Sequence, residues 1–178
     1  MKRIIVISVS LIMATVCLNA QTVKKGSTSF LKGQSAFQVE YVFKDALVSN
    51  TMSIESYARS KSSSEENVTR YMSAIDKERI DLMMYFIDQA NRNVSQVSFG
   101  ANIESEYRIV VSLVSIDREG RYNTTDVSFV NVKTGEVAAL VEFKCRGGYF
   151  GTFANLMGDA FKRDFTPNFI SYLNKCIE

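Results

Sequence analysis

Residues 107–145 read YRIVVSLVSIDREGRYNTTDVSFVNVKTGEVAALVEFKC, and this stretch decides the fold. Its first segment, Tyr107–Asp117, is apolar at both odd and even positions, which predicts a central strand that is covered on both faces or lies at an interface. Polar turns separate it from two further strand-like segments, Thr124–Val132 and Val137–Cys145. Because consecutive strands joined by short turns lie side by side, the stretch predicts an antiparallel meander.

The sequence on either side of the meander predicts one more strand and two helices. Ala36–Lys44 alternates apolar and polar residues, as a half-buried strand does. Ser63 and Glu66 have capping-box spacing, and an apolar stripe follows that predicts a helix of up to about 27 residues. After Thr152, apolar residues recur at helical spacing to the end of the chain. We therefore expect an α+β fold, in which an antiparallel sheet of four or five strands carries two long helices on one face.

The first twenty residues have the layout of a secretory signal peptide. Two basic residues precede an uncharged apolar stretch, and a small-residue cleavage site ends at Ala20. The apolar stretch is shorter than the roughly 20 residues that span a membrane comfortably. We expect cleavage after Ala20, export to the periplasm or cell surface, and no integral membrane span in the mature protein. The residues before Cys17 do not fit a lipoprotein signal, so a lipid anchor at that cysteine is not expected.

The remainder of the chain divides into a leader and one domain. Residues 21–35 are polar and rich in Gly and Ser, which predicts a flexible leader. Residues 36–178 have the length and composition of a single α+β domain. Cys145 and Cys176 are expected to be free thiols, because a helix from Thr152 onward would carry Cys176 to the opposite end of the sheet.

Composition argues against several classes of function. Once Lys2 and Arg3 are removed, the chain has 19 basic and 19 acidic residues, so it lacks the basic excess of a nucleic-acid-binding protein. Histidine is absent, which removes the commonest general base and the commonest metal ligand. The sequence also has no nucleophile elbow and no phosphate-binding loop. We therefore expect no enzymatic activity, no cofactor, no metal and no nucleic-acid partner.

The best candidate site is a glycine-rich loop between the last strand and the last helical region. It comprises Gly147, Gly148, Tyr149, Phe150 and Gly151, and Phe153 follows at the start of the helix. One interpretation is a connector whose glycines supply backbone conformations with positive φ. The other is a partner-binding loop, in which the exposed aromatic side chains contact a protein or peptide.

Four stretches carry a resemblance to known proteins: Phe37–Phe43, the segment 77–100, the run Glu106–Val111 and the ending Gly151–Phe161. In their order they resemble a group of small uncharacterised exported proteins common in Bacteroidetes. The resemblance spans most of the mature chain and implies an exported protein without a catalytic motif. The arrangement is also similar in fold to the N-terminal domain of the Tol-system periplasmic protein and to curli-secretion lipoproteins, although a shared fold does not give function.

Two functions fit these observations. The first is a non-catalytic module of the cell envelope that binds a protein partner or associates with itself. The second is a carrier that holds a small apolar ligand between the sheet and the helices. An enclosed apolar pocket favours the carrier, whereas an exposed apolar patch favours the binding module.

Overall fold

The computed structural model of the protein describes residues 21–177. The predicted signal peptide, with its cleavage site and Cys17, lies outside the described residues. The described chain forms, in order, β1 (Gln21–Gly26), a 3₁₀ turn (Ser29–Leu31), β2 (Ala36–Val42), β3 (Leu47–Val48), β4 (Met52–Ser53), α1 (Ile54–Lys61), α2 (Glu65–Asn93), β5 (Ser98–Gly100), β6 (Tyr107–Ile116), β7 (Tyr122–Asn131), β8 (Val137–Arg146), α3 (Phe153–Ala160), a π-helical turn (Phe161–Phe165) and α4 (Thr166–Ile177).

The strands form one mixed sheet, in the order β1-β8-β7-β6-β2-β5, with β3 beside the end of β6 and β4 beside β3. The α+β class and the antiparallel meander of β6, β7 and β8 are confirmed. The expected sheet of four or five antiparallel strands is wrong, because the sheet has eight strands and β2 runs parallel to both β5 and β6. Between β2 and β6 the chain passes through α1 and α2, and such a helical crossover returns the chain in its original direction.

The predicted leader is also partly structured. Gln21–Gly26 is the edge strand β1 and pairs antiparallel with β8. Its register shifts between Val23 and Lys25, and Lys24 and Lys25 are exposed. A bulge and lysines are features that keep an edge strand from pairing with another chain. Further along, Leu31 is fully buried in the core, so this segment is held by packing rather than left free.

The helices differ from the expectation of two long ones. α2 has 29 residues, whereas the C-terminal region is divided into α3, the π-helical turn and α4. The wide turn ends two residues before Pro167, which has no backbone N–H and in an ordinary α-helix collides with the carbonyl four residues earlier. α2 is capped by Ser64, whose hydroxyl accepts from the N–H of Asn67 at 3.3 Å, one residue later than the capping box predicted. Thr152 caps α3, its hydroxyl accepting from the N–H of Asn155 at 3.3 Å.

Aromatic rings fill the layer between the sheet and the helices. The side chains on one face of β2, β6, β7 and β8 are buried, whereas those on the other face are only partly buried. Phe169 of α4 lies at the centre, with ring centroids 5.2 Å from Phe86 and 5.5 Å from Phe143 and Phe165. The second face of β6 carries Val110 and Val114, so the strand that is apolar on both sides is deeply buried on one side only.

Candidate functional site

The glycine-rich loop is held against the turn that joins β6 to β7. The backbone N–H of Gly147 donates to the carbonyl of Arg121 at 2.6 Å. Gly120 in that turn has φ +85°, and a Cβ there would lie 2.5 Å from the carbonyl oxygen of Phe153. The turn therefore lies so close to the start of α3 that position 120 needs a residue without a side chain.

The glycines of the loop mainly allow its backbone to lie close to α3, rather than to adopt positive φ. Only Gly151, with φ +143°, has a backbone that disfavours other residues, so the expectation of positive φ at Gly147 and Gly148 is wrong. A Cβ on Gly147 would overlap the carbonyl oxygen of Leu156, and one on Gly148 would lie 2.5 Å from the Asp159 carboxylate. The backbone of the loop is thus packed directly on α3.

The side chains of the loop point in different directions. Phe150 is 95% exposed and Tyr149 is 62% exposed, although both are large and aromatic. Phe153 is half-buried instead, with ring centroids 5.5 Å from Tyr57 and 5.9 Å from Tyr71. Of the predicted site residues, Tyr149 and Phe150 therefore form an exposed patch, whereas Phe153 helps attach α3 to α1 and α2.

An arginine–tyrosine cluster (Arg121, Tyr122, Arg146 and Tyr149) lies beside this patch. The guanidinium of Arg121 is 4.3 Å from the ring centroid of Tyr149 and 5.4 Å from that of Tyr122. The guanidinium of Arg146 is 5.0 Å from Tyr149 and 5.5 Å from Tyr122, and it also donates to the Tyr149 hydroxyl. Each ring is therefore flanked by two cations, an arrangement stabilised by cation–π attraction.

Sequence reasoning missed this cluster, because its members come from the β6–β7 turn, from β8 and from the loop. Tyr122 and Arg146 are direct partners in the register of β7 and β8. Arg121 is held by an ion pair with Glu119, at 3.1 Å between Nη1 and Oε2, while its Nε is buried without a hydrogen-bond partner in the described part of the chain. The only hint in the sequence is that Arg and Tyr occur together at both places, in Arg121-Tyr122 and near Arg146 and Tyr149.

Below the loop, the buried ionisable groups are neutral. Burial, with a smaller contribution from the negative charge of Asp164, raises the pKa of the Cys145 thiol far above its usual value. Burial likewise raises the pKa of the Tyr41 hydroxyl, which has no hydrogen-bond partner among residues 21–177. Cys145 and Cys176 are both free thiols, as predicted, and the Cys176 Sγ lies 3.4 Å from the hydroxyl of Thr28. A thiol whose pKa is raised by burial, as that of Cys145 is, is a weak nucleophile at neutral pH.

An open hollow lies away from the glycine-rich loop. It has a volume of about 580 Å³ and is bounded by β2, α1 and α2, with Arg79, Asp76 and Glu55 in its wall. No group of three or more metal-ligating side chains is present in the described residues. Over the same residues, no helix combines the length and apolar character that crossing a membrane requires.

Comparison with known proteins gives a fold likeness alone. No protein-family model and no curated protein matches the chain. Two solved structures of a PelC dodecamer from Paraburkholderia phytofirmans are similar to it, with 9% and 8% sequence identity and TM-scores of 0.40 and 0.39. Each alignment covers 83% of this chain and 95% of the PelC chain. A likeness at this level carries no argument about function.

Proposed function

We propose that the protein is a non-catalytic, exported module of the cell envelope that binds a protein partner through Tyr149 and Phe150. The exposure of Phe150 carries this proposal, because a phenylalanine that is 95% exposed leaves nearly all of its apolar surface in water. Burying that ring against a partner contributes favourable free energy, and exposed aromatic residues are typical anchors of protein interfaces.

The loop backbone supports the proposal as well. Gly147 and Gly148 pack on α3, and the N–H of Gly147 donates a hydrogen bond to the carbonyl of Arg121. The loop therefore has little conformational freedom to lose when a partner binds. A preorganised loop gives up less conformational entropy on association than a mobile one. Tyr149 is likewise held between two guanidinium groups, which limits its side-chain freedom.

The location follows from the N-terminal sequence. The signal-peptide pattern of residues 1–20 supports export. We place the mature protein in the periplasm or on the cell surface, without a lipid anchor at Cys17. Whether the partner is another envelope protein or a second copy of this chain is an outcome of the test below.

The carrier alternative has less support. A carrier needs room between the sheet and the helices, and in this layer Phe86, Phe165 and Phe169 are fully buried and in mutual contact. The hollow of about 580 Å³ does lie between β2 and the helices α1 and α2, but it is open to solvent and has charged residues beside its apolar ones, whereas a carrier encloses its ligand.

Site-specific photocrosslinking tests the proposed function. We would place p-benzoylphenylalanine at position 150 in the cells that make the protein, and at Met84 of α2 as a control. Met84 is a matched position because it is also a large apolar side chain and is 52% exposed.

We expect an adduct from position 150, identified by mass spectrometry, and none of the same mass from position 84. An adduct of twice the protein's mass would mean that the partner is a second copy. Equal adducts from both positions, or none from position 150, would contradict the proposal.

A further inference from the structure

A shallow hollow of about 250 Å³ lies beside the glycine-rich loop, where β7 begins and β8 ends. Two neighbouring cross-strand pairs line it: Tyr122 with Arg146, and Thr124 with Lys144. These four side chains have the same parity and lie on the sheet face opposite the buried aromatic layer. We call this feature the basic hollow.

The two cations of the basic hollow have no carboxylate partner within residues 21–177. Both Lys144 and Arg146 are exposed, and neither forms an ion pair. The other ion pairs of this sheet face leave no free cation: Arg108 lies 3.1 Å from Glu40, and Lys24 lies 3.2 Å from Asp126 and 2.5 Å from Glu142, a group with one net negative charge. The basic hollow is therefore the place on this face where an incoming anion meets positive charge that is not already compensated.

Arg146 is held in place for such a contact. Its backbone N–H donates to Asp164 at 2.8 Å, and its guanidinium lies against the rings of Tyr122 and Tyr149. The guanidinium of Arg121 lies 4.3 Å from the ring centroid of Tyr149 and helps to hold that ring in place. One N–H group of the Arg146 guanidinium donates to the Tyr149 hydroxyl. Stacking covers only the faces of a guanidinium, so the other N–H groups can still donate to the oxygens of a carboxylate.

We propose that the basic hollow binds the carboxylate of an Asp or Glu side chain from a partner protein, with Arg146 and Lys144 as its ligands. Tyr122 and Tyr149 act as positioning residues for Arg146. This inference rests on the proposed function, since the same partner segment would place an apolar side chain on Phe150. The partner segment therefore carries both an acidic and an apolar side chain, and its binding weakens as salt concentration rises.

The test uses the mature protein, residues 21–178, labelled with ¹⁵N and titrated with three N-acetylated peptides. The first is Ac-Leu-Glu-Leu-Glu-NH₂, the second has Gln in place of Glu, and the third has Gln side chains and a free C-terminal carboxylate. Arg146→Gln is the test variant. Arg92→Gln is its control, because Arg92 is an arginine on the exposed side of α2, with its side chain 70% exposed. Melting temperatures confirm that both variants remain folded.

We expect the Glu peptide to shift the amide signals of residues 122–124 and 144–150, and to bind about tenfold more weakly to Arg146→Gln. The second peptide, with Gln in place of Glu, should not bind. The Arg92→Gln variant should bind the Glu peptide as tightly as the unmodified protein does. Equal binding of the Glu and Gln peptides, no binding at millimolar concentration, or an unchanged affinity in Arg146→Gln would overturn the inference. If the third peptide, with its free C-terminal carboxylate, bound as tightly as the Glu peptide, the site would be assigned to a chain terminus. That result would overturn the assignment to an Asp or Glu side chain.

The two proposals fail separately. Crosslinking from position 150 without any effect of Arg146→Gln on peptide binding would leave the partner-binding loop in place and remove the carboxylate site. Binding of the Glu peptide at the basic hollow without a crosslink from position 150 would keep the carboxylate site and remove the partner-binding loop.

Discussion

Aromatic residues occupy two regions of this molecule in opposite ways. In the layer between sheet and helices, Phe169 is fully buried, and its neighbours are other aromatic rings at 5.2 to 5.5 Å. At the glycine-rich loop, Phe150 is 95% exposed, and Tyr149 has guanidinium groups as neighbours. The difference teaches that residue type alone does not assign a role. Phe169 lies on the apolar face of a helix and is buried, whereas Phe150 lies on a short loop between glycines and is exposed to solvent.

The largest effect we predict is on the buried side of this comparison. Replacing Phe169 with Ala removes a ring that contacts Phe86, Phe143 and Phe165, and it leaves a cavity. Such a change costs about 3–5 kcal/mol of unfolding free energy. Chemical denaturation of the mature protein measures it, and a loss below about 1 kcal/mol would mean that the aromatic layer is not the core.

The loop glycines should separate into a severe and a mild position. In Gly147→Ala, the added methyl group meets the backbone of Leu156 and Ala160, so the loop or α3 must move, at a cost of about 1–3 kcal/mol. In Gly148→Ala, the obstacle is the end of the Asp159 side chain, which can rotate away, so the cost should be smaller. Thermal unfolding of the two variants side by side checks the order. If Gly148→Ala is the more destabilising variant, then the close packing of the loop is described incorrectly.

At Tyr41 we expect a substitution to raise the unfolding free energy, by less than the losses predicted above. Its hydroxyl is buried and lacks a hydrogen-bond partner in the described chain, and burial raises its pKa, so it stays protonated at neutral pH. An unsatisfied buried hydroxyl costs free energy, so Tyr41→Phe should raise the unfolding free energy by about 1 kcal/mol. Tyr57→Phe is the control, because the Tyr57 hydroxyl donates to the carbonyl of Arg118 at 2.6 Å and its removal should be destabilising. A loss of stability in Tyr41→Phe equal to that in Tyr57→Phe would contradict this account.

The smallest effect on stability should come from the exposed side. Phe150→Ser removes a side chain that contributes little to the folded core, so the unfolding free energy should change by no more than about 0.5 kcal/mol. Thermal unfolding beside the Phe169→Ala variant makes the comparison direct. A loss of more than about 2 kcal/mol would show that the exposed ring has a structural role.

Much of the fold could be predicted from local patterns in the sequence. The alternation of Ala36–Lys44, the two turns of the meander and the apolar stripe of α2 follow the periods of strand and helix, and each became the expected element. β1 was missed because Val23 is its only large apolar residue, so its pairing with β8 has no signal in its own composition. The parallel placement of β2 depends on how the chain crosses over the sheet, which periodicity does not record.

The candidate site was predictable only in part, for the same reason. The glycines and exposed aromatics of the loop are visible in the sequence, but the register that brings Tyr122 opposite Arg146 includes a shift between Phe129 and Val130. A β-bulge of this kind changes which residues face each other, and no local pattern marks it here. The arginine–tyrosine cluster therefore needed the structure.

The affinity of the protein for the partner crosslinked at position 150 tests the central claim most directly. Isothermal titration calorimetry would compare the unmodified mature protein with Phe150→Ser, after their melting temperatures have been measured. The account predicts matching melting temperatures and at least tenfold weaker binding by Phe150→Ser, since a buried aromatic anchor contributes about 2 kcal/mol or more to an interface. Unchanged affinity, or a fall in affinity accompanied by a fall in melting temperature, would contradict it.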